Sequence, residues 1–154
     1  METKSHWDVF NDRCPTRQVL DRVADKWTVL VIRRLSSGTM RFAQLRRSIG
    51  GISQKVLTST LRGLERDGLV TRRIYASVPP RVDYSLTDLG RSLCSLVASI
   101  CDWAEAHIEQ VEAARAAFDR ATMKEGRTGG QQAADPEEAH SVAASEGPPR
   151  PVHS

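Results

Sequence analysis

The sequence contains only three cysteines among its 154 residues, few aromatic residues and no run of 18 apolar residues. Because a membrane-spanning helix needs about 20 apolar residues, no transmembrane helix is expected. The polar first ten residues also lack the apolar segment of a secretory signal. Cys14, Cys94 and Cys101 are odd in number and form no Cys-x-x-Cys pair, so neither a disulfide framework nor a zinc site is expected. We therefore expect a cytoplasmic protein that does not contact a membrane.

The sequence also lacks the signatures of catalysis and of cofactor binding. It contains no glycine-rich phosphate loop and no recognisable set of nucleophile, base and orienting residue. The histidines are scattered along the chain, at His6, His107, His140 and His153. The sequence therefore predicts a protein that is not an enzyme and that uses neither a metal nor another cofactor.

The net charge of +3 is unevenly distributed along the chain. Residues 33–81 contain eleven Lys or Arg residues against two acidic ones, whereas residues 82–120 contain three basic and seven acidic residues. A segment with a net charge of +9 favours a polyanionic partner, and the acidic segment after it does not. The alternative is an arginine-rich surface that is simply solvated.

Apolar periodicity, helix caps and turn residues predict the order of helices and strands. This order predicts an α+β fold that is mainly α-helical with a small β-hairpin wing: a winged helix-turn-helix with a long C-terminal dimerisation helix. Pro15 is expected at the first helical position, Ser53 at the start of the fourth helix, and Gly68 in a left-handed cap at its end. The predicted elements are helix 15–24, a helix from residue 25 that Gly38 ends, strand 39–41, helix 42–49, a helix between Ser53 and Gly68, strands 69–75 and 81–86, and a helix from Thr87 to about Arg120.

The composition divides the chain into three parts. Residues 1–13 are predicted to form an N-terminal arm, and residues 14–120 the winged helix-turn-helix domain. From Ala121 onward, Gly, Pro, Ala, Ser and Glu are mixed without apolar periodicity. Such a composition buries too little surface to offset the entropy of ordering, so residues 121–154 are predicted to be a disordered tail.

The fourth helix has two faces with different chemistry. Its apolar residues, predicted to face the core, are Val56, Leu57, Leu61 and Leu64. Arginine can bind guanine through two hydrogen bonds, glutamine can do the same with adenine, and a threonine methyl can contact thymine. The polar face is therefore predicted to bind DNA through its N-terminal half, with a solvated helix face as the alternative. The predicted DNA-contacting residues here are Ser53, Gln54, Lys55, Thr58 and Ser59, with Arg62 at a base or a phosphate; Arg66 is predicted to bind a phosphate or to form an ion pair.

Further arginines surround this helix in the sequence. Arg72, Arg73 and Arg81 belong to the predicted wing and are expected to reach the minor groove or the backbone. Side chains alternate along a strand, so either Arg72 or Arg73 must point away from the DNA. The arginines around the third helix are predicted to bind the phosphates that flank the major groove, and they are Arg41, Arg46 and Arg47.

Several motifs together resemble the HxlR-type winged helix-turn-helix regulators. They are RFAQLRR at 41–47, GISQKVLT at 51–58, LRGLERDGLV at 61–70, VPPRVDYSLT at 78–87, Cys14-Pro15, Lys26-Trp27 and Trp103. The resemblance extends from about Arg13 to His107 and departs from the usual pattern at Asp25, where these regulators usually have glycine. It implies a dimeric bacterial DNA-binding regulator within the broader MarR-like group.

The long C-terminal helix carries more apolar surface than one small domain needs to cover. We therefore expect it to pair with a second copy, and the resemblance suggests that the first helix shares the interface. Cys94 and Cys101 lie about 10 Å apart on the long helix, too far for a disulfide, and are predicted to be buried. The predicted dimer-interface residues are Val19, Leu20, Val23, Leu89, Leu93, Leu96, Ile100 and Trp103.

Cys14 is the predicted chemical switch. It precedes a helix start and lies near Arg13 and Arg17, and both features favour the reactive thiolate. Some HxlR-type regulators use a cysteine at this place to sense oxidants or electrophiles and others do not, so the resemblance is compatible with a switch without requiring one. The alternative is a structural, partly buried thiol. A redox or small-molecule effector is therefore expected, but the sequence does not identify it.

These features together predict a sequence-specific transcriptional regulator that binds double-stranded DNA. It is expected to act as a homodimer on an inverted-repeat operator and to respond to oxidants or electrophiles. The alternative is a winged-helix module that uses the same basic surface to bind an acidic protein partner.

Overall fold

The structure, a computed structural model, describes residues 7–128 and is mostly helical with one small antiparallel sheet. The sheet has the strand order β1-β3-β2. This architecture is the winged helix-turn-helix that the sequence predicts. The elements are α1 (Thr16–Ala24), α2 (Lys26–Leu35), β1 (Met40–Arg41), α3 (Phe42–Ser48), α4 (Gln54–Arg66), β2 (Val70–Tyr75), β3 (Arg81–Leu86), α5 (Asp88–Ser92) and α6 (Cys94–Thr128).

The first two helices meet at Asp25. This residue is extended, and its side chain accepts a hydrogen bond from the Thr28 amide at 2.9 Å, so it caps α2 and ends α1. Pro15 is the N-cap of α1 rather than its first helical residue, one position from the prediction. None of the nine residues of α1 is buried, whereas α2 buries Val31, Ile32 and Leu35. The core therefore begins at α2, and α1 lies on the surface.

The helix-turn-helix consists of α3, a glycine-containing turn and α4. Gly51 has a φ of 78°, a left-handed conformation that glycine tolerates best. Ser53 caps α4 as predicted, since its Oγ accepts a hydrogen bond from the Val56 amide at 3.1 Å. Val56 is only half-buried and Thr60 is buried in its place, which corrects the predicted inner face. The core face of α4 follows the helical spacing and comprises Leu57, Thr60, Leu61 and Leu64.

The sheet packs one face against these helices. In the β2–β3 hairpin, Val70 pairs with Leu86 and Arg72 pairs with Tyr84, while β1 adds Met40 beside Tyr84 at the edge. Val70, Tyr84 and Leu86 are buried. Gly68, with a φ of 72°, closes α4 in the predicted left-handed cap and turns the chain into β2.

The C-terminal helical region is two helices instead of the predicted single one. Thr87 caps α5, but the amide of Leu93 bonds to the carbonyl of Gly90, three residues back, and α6 begins after this tightened turn. Gly90 packs against the backbone carbonyl of Leu69 so closely that a Cβ would overlap it. The break therefore lies beside the place where α5 packs against Leu69, the residue that precedes β2.

α6 continues to Thr128, past the predicted end at Arg120. Residues 121–128 are helical, so the predicted disordered tail begins too early. These residues are mostly good helix formers, and the change in composition does not by itself end a helix. Residues 1–6 of the predicted arm and 129–154 of the predicted tail lie outside the described residues.

The compact unit that contains the sheet and the helix-turn-helix ends at His107, and the helical residues from Ile108 onward belong to a second unit. Within residues 7–128, no helix is long and apolar enough to cross a lipid bilayer.

Candidate nucleic-acid interface

The polar face of α4 lies on the surface, opposite Leu57, Leu61 and Leu64. Its spacing comes from the helical repeat, because one face must cover the core and the other must face water. The structure thus places on one exposed surface all the side chains that the sequence assigned to α4. These exposed residues are Gln54, Lys55, Thr58, Ser59, Arg62 and Arg66.

Two of the hydroxyl groups in this region already have partners. Ser53 uses its Oγ to cap α4, as described above. Thr58 donates its hydroxyl to the carbonyl of Gln54 at 2.8 Å, within the helix. Ser53 therefore supports the helix start, and Thr58 offers chiefly its methyl group and the lone pairs of its hydroxyl oxygen to a ligand.

The cations of α3 and α4 extend from the protein without acidic partners. Among residues 7–128, no ion pair joins Arg46, Arg47, Lys55 or Arg62 to a carboxylate. Such cations keep their full charge for an external anion. This surface is therefore the strongest candidate for binding phosphate.

A groove of about 490 Å³ separates α3 from the start of α4. Arg46 and Arg47 lie on one side of it and Gln54 on the other, with Phe42 among the other lining residues. The free amides at the start of α4 carry a positive partial charge, so two arginines and a helix terminus favour an anion at the same place.

The hairpin register places Arg72 and Arg73 on opposite faces, as strand alternation predicts. Arg72 shares a face with the buried Tyr84, and its Nε lies 3.7 Å from Oε1 of Glu65 on α4. Arg73 is on the outer face, paired with Asp83, and its guanidinium lies 5.2 Å from the ring centre of Tyr75. Arg73 is therefore the member of the pair that points away from the core.

Arg81 is held firmly within the wing. Its Nε and Nη2 donate to Oδ1 and Oδ2 of Asp83 at 3.1 and 3.0 Å, and its Cζ lies 4.2 Å from the ring centre of Tyr75. The hydrogen bonds to the Asp83 carboxylate raise the pKa of Arg81 above its ordinary value. Arg41 of β1 pairs in register with Asp83 from the other side. The outer face of the sheet thus gathers three arginines around one carboxylate, an arrangement that was not anticipated from the sequence.

Tyr84 connects the wing to α3. Its ring lies 6.4 Å from that of Phe42, and burial raises the pKa of its hydroxyl. The position of the wing beside the helix-turn-helix is therefore set by packing in the core.

A second exposed surface is apolar. Six of the eight side chains predicted for a dimer interface are between 53% and 59% exposed. Val23 and Leu93 are half-buried, and Val97 of α6 belongs to the core instead. Exposed aliphatic and aromatic side chains in this number make these helices candidates for an interaction surface. The six exposed residues are Val19, Leu20, Leu89, Leu96, Ile100 and Trp103.

The two cysteines of α6 are less buried than predicted. Cys94 and Cys101 are intermediate in exposure and pack against the edge of the core. They sit at the border between the helix face that covers the core and the face that does not, so the prediction of full burial is wrong.

Cys14 is half-buried just before α1. Thr16 donates its hydroxyl to the Cys14 sulfur at 3.0 Å, and this hydrogen bond is the main cause that lowers the pKa of the thiol. Arg13, Arg17 and the helix start were the causes expected from the sequence, and Thr16 was missed. The signal was present in the sequence, since a hydroxyl residue follows Cys14-Pro15 directly.

Within residues 7–128, no group of three or more His, Cys, Asp or Glu side chains is arranged to hold a metal ion.

Comparison with known proteins agrees with this geometry. Residues 22–112 match a family model described as HxlR-like helix-turn-helix. The chain is 45% identical over 108 residues to the HTH-type transcriptional regulator YtfH of Escherichia coli K12, which covers 70% of this chain and 86% of that protein. The solved structure of the transcriptional regulator ytfH from Salmonella typhimurium has a TM-score of 0.67 at 45% identity and covers 71% of this chain and 97% of that one. The redox regulator HypR in its oxidised form has a TM-score of 0.56 at 41% identity, with coverages of 60% and 96%.

Proposed function

The chain belongs to the HxlR-like helix-turn-helix family of DNA-binding transcriptional regulators, and on this premise we propose that it binds an inverted-repeat operator as a homodimer. One observation carries the proposal: the exposed face of α4 and the adjoining groove present cations that have no carboxylate partner among residues 7–128. Such a surface fits the negative charge of duplex DNA.

In this proposal the exposed face of α4 contacts the bases, and arginines of the neighbouring elements contact the phosphates. Its N-terminal half enters the major groove, where Gln54, Lys55, Thr58 and Ser59 meet base edges and Arg62 binds a guanine or a phosphate. Phosphates on either side are bound by the arginines of the neighbouring elements, and these positioning contacts carry no sequence information. The neighbouring arginines are Arg41, Arg46, Arg47, Arg73 and Arg81.

The homodimer follows from the exposed apolar surface of α1, α5 and the first turns of α6. One winged module reads only a few base pairs, and a symmetric pair doubles the site. Leu96, Ile100 and Trp103 lie on one helix and are each more than half exposed, which is costly for a monomer in water. Val19 and Leu20 on α1 extend the same kind of surface.

The test is fluorescence anisotropy with duplexes that the protein selects from a randomised library. We expect an inverted repeat whose half-site centres are about 10 or 20 bp apart. Lys55→Ala should weaken binding strongly, while Arg91→Ala, which removes an exposed arginine paired with Asp88 on α5, should not. Selection of no duplex, together with binding to an acidic protein partner, would contradict the proposal.

A redox response at Cys14 is part of the proposal. Its support is the thiol's lowered pKa, its partial exposure and the similarity to HypR, which is described as a redox regulator. Modification of Cys14 would shift the balance between dimer geometries by as much as it stabilises one over another. Diamide or quinone treatment should change operator binding by the wild type and leave Cys14→Ser unaffected. Identical responses would make Cys14 a structural thiol.

A further inference from the structure

The attachment of α1 to the rest of the molecule depends on few contacts. None of its residues is buried, and Val19 and Leu20 are more than half exposed. Arg22, near the end of α1, contacts a part of the chain that is distant in sequence. Its Nε lies 2.9 Å from Oδ2 of Asp67, a residue 45 positions later in the chain.

Asp67 is the C-cap of α4, so this ion pair joins α1 to the end of the recognition helix. Gly63, one turn earlier on α4, makes room for the contact, because a Cβ at this position would overlap the Arg22 guanidinium. Glycine is among the least favourable residues in a helix interior. Here its lack of a side chain lets the guanidinium lie directly on the helix backbone.

We propose that Arg22 is a positioning residue that fixes the recognition helix to the dimer interface and thereby sets the half-site spacing that the protein accepts. The inference rests on the proposed dimeric DNA binding. The same short helix carries Val19 and Leu20 of the proposed interface and contacts α4 through Arg22. The position of the proposed interface is therefore transmitted to α4 through a single helix and a single ion pair.

The length of α4 amplifies a small change at its Asp67 end. Asp67 and Gln54 lie at opposite ends of α4, roughly 20 Å apart at the helical rise per residue. A small change in the angle between α1 and α4 at the Asp67 end therefore displaces Gln54 and Lys55, at the other end, relative to the proposed interface. Removal of the Arg22 ion pair should leave each module able to bind a half-site. The distance between the two modules should then be less tightly fixed.

The experiment uses the full chain and a series of duplexes with identical half-sites. Their spacing is shortened or lengthened by one and two base pairs around the best one. For Arg22→Ala, affinity for the best spacing should fall about twofold to fivefold, the effect of removing one exposed ion pair. The preference for that spacing over its neighbours should shrink, while affinity for a duplex with a single half-site should stay unchanged.

Gly63→Ala is the matched second variant. It keeps both charged partners, improves helix propensity and places a methyl group where the guanidinium lies. It should therefore reduce the spacing preference without lowering the melting temperature, which separates positioning from unfolding. The double reversal Arg22→Asp with Asp67→Arg should restore part of the preference, and Arg91→Ala should have no effect.

The outcomes separate this inference from the proposed function. If the wild type selects no inverted repeat, the dimeric operator model falls and the inference falls with it. If the wild type prefers one spacing and both Arg22→Ala and Gly63→Ala keep the same spacing profile, the role of Arg22 is refuted while the DNA-binding function stands.

Discussion

The cations of the helix-turn-helix and those of the β2–β3 hairpin differ in what already surrounds them. On α3 and α4, no carboxylate among residues 7–128 forms an ion pair with Arg46, Lys55 or Arg62. In the hairpin, Arg72 lies beside Glu65 and Arg81 is bound by Asp83. A cation that must give up a carboxylate before it binds a phosphate gains less free energy from the phosphate than an unpaired cation does. Residues that the sequence counts as equally basic are therefore unequal in the folded protein.

Salt dependence is the largest expected expression of this difference. A dimer that neutralises ~6–10 phosphates should become about 10³–10⁵ weaker in affinity between 50 and 200 mM salt. Arg46→Ala should lower the slope of log K against log salt by about 0.9 for each phosphate that the variant no longer binds, whereas Arg72→Ala should leave the slope nearly unchanged. Anisotropy titrations over this salt range measure both slopes. Equal changes in the two variants would remove the distinction between the two regions.

Arg62→Ala tests the unpaired region at one position. The change should cost about 1–3 kcal/mol on the operator if Arg62 binds a guanine, and it should relax sequence preference at that position. Arg66→Ala, one turn later on the same exposed face, is the matched control and should weaken all duplexes alike. Unchanged operator affinity in Arg62→Ala would show that the orientation of α4 on DNA is different.

Asp83→Asn tests the paired region from its acidic side. Removing this carboxylate frees Arg81 for phosphates, so non-specific affinity should rise by an amount worth up to about 1 kcal/mol. Arg81→Ala should have the opposite sign. Both are measured with a duplex of unrelated sequence at low salt. A weaker affinity in Asp83→Asn would mean that Asp83 is needed to position Arg81.

Cys14 also has a neighbouring side chain that changes its chemistry. The hydrogen bond from Thr16 lowers the pKa of Cys14, so its thiolate forms at lower pH than that of an ordinary cysteine. Thr16→Val removes this bond and should move the midpoint of the alkylation rate of Cys14 to higher pH. Iodoacetamide labelling across a pH series, followed by mass spectrometry, measures the midpoint. An unchanged midpoint would show that Thr16 does not stabilise the thiolate, and Cys94 and Cys101 serve as internal references in the same samples.

Local chemistry made much of this fold predictable from the sequence. The cap at Ser53, the left-handed Gly68 and the alternation of Arg72 and Arg73 each depend on residues close together in the chain. The break at Leu93 was not predictable in the same way, because it follows from the packing of Gly90 on Leu69, 21 positions away. The end of α6 was misplaced because composition alone does not show where a helix stops.

The candidate site likewise combines features that depend on nearby residues with features that depend on contacts between distant parts of the chain. The exposed face of α4 could be identified from helical spacing alone, and all its members lie where expected. The pairing of Arg81 with Asp83 and Tyr75 depends on strand register, and the contact of Arg22 with Gly63 and Asp67 depends on two helices distant in the chain. The sequence therefore identified which residues are basic but not which of them are already neutralised.

The surface position of α1 also has a consequence for how the molecule folds. A nine-residue helix is too short to persist alone in water, and α1 buries none of its residues in the core. Its backbone amides should therefore exchange with solvent long before those of α2 and α4, through local opening that leaves the core intact. If a second copy covers Val19 and Leu20, this opening becomes rarer as protein concentration rises. The fraction of molecules in which α1, next to Cys14, is folded would then depend on the concentration of the chain in the cell.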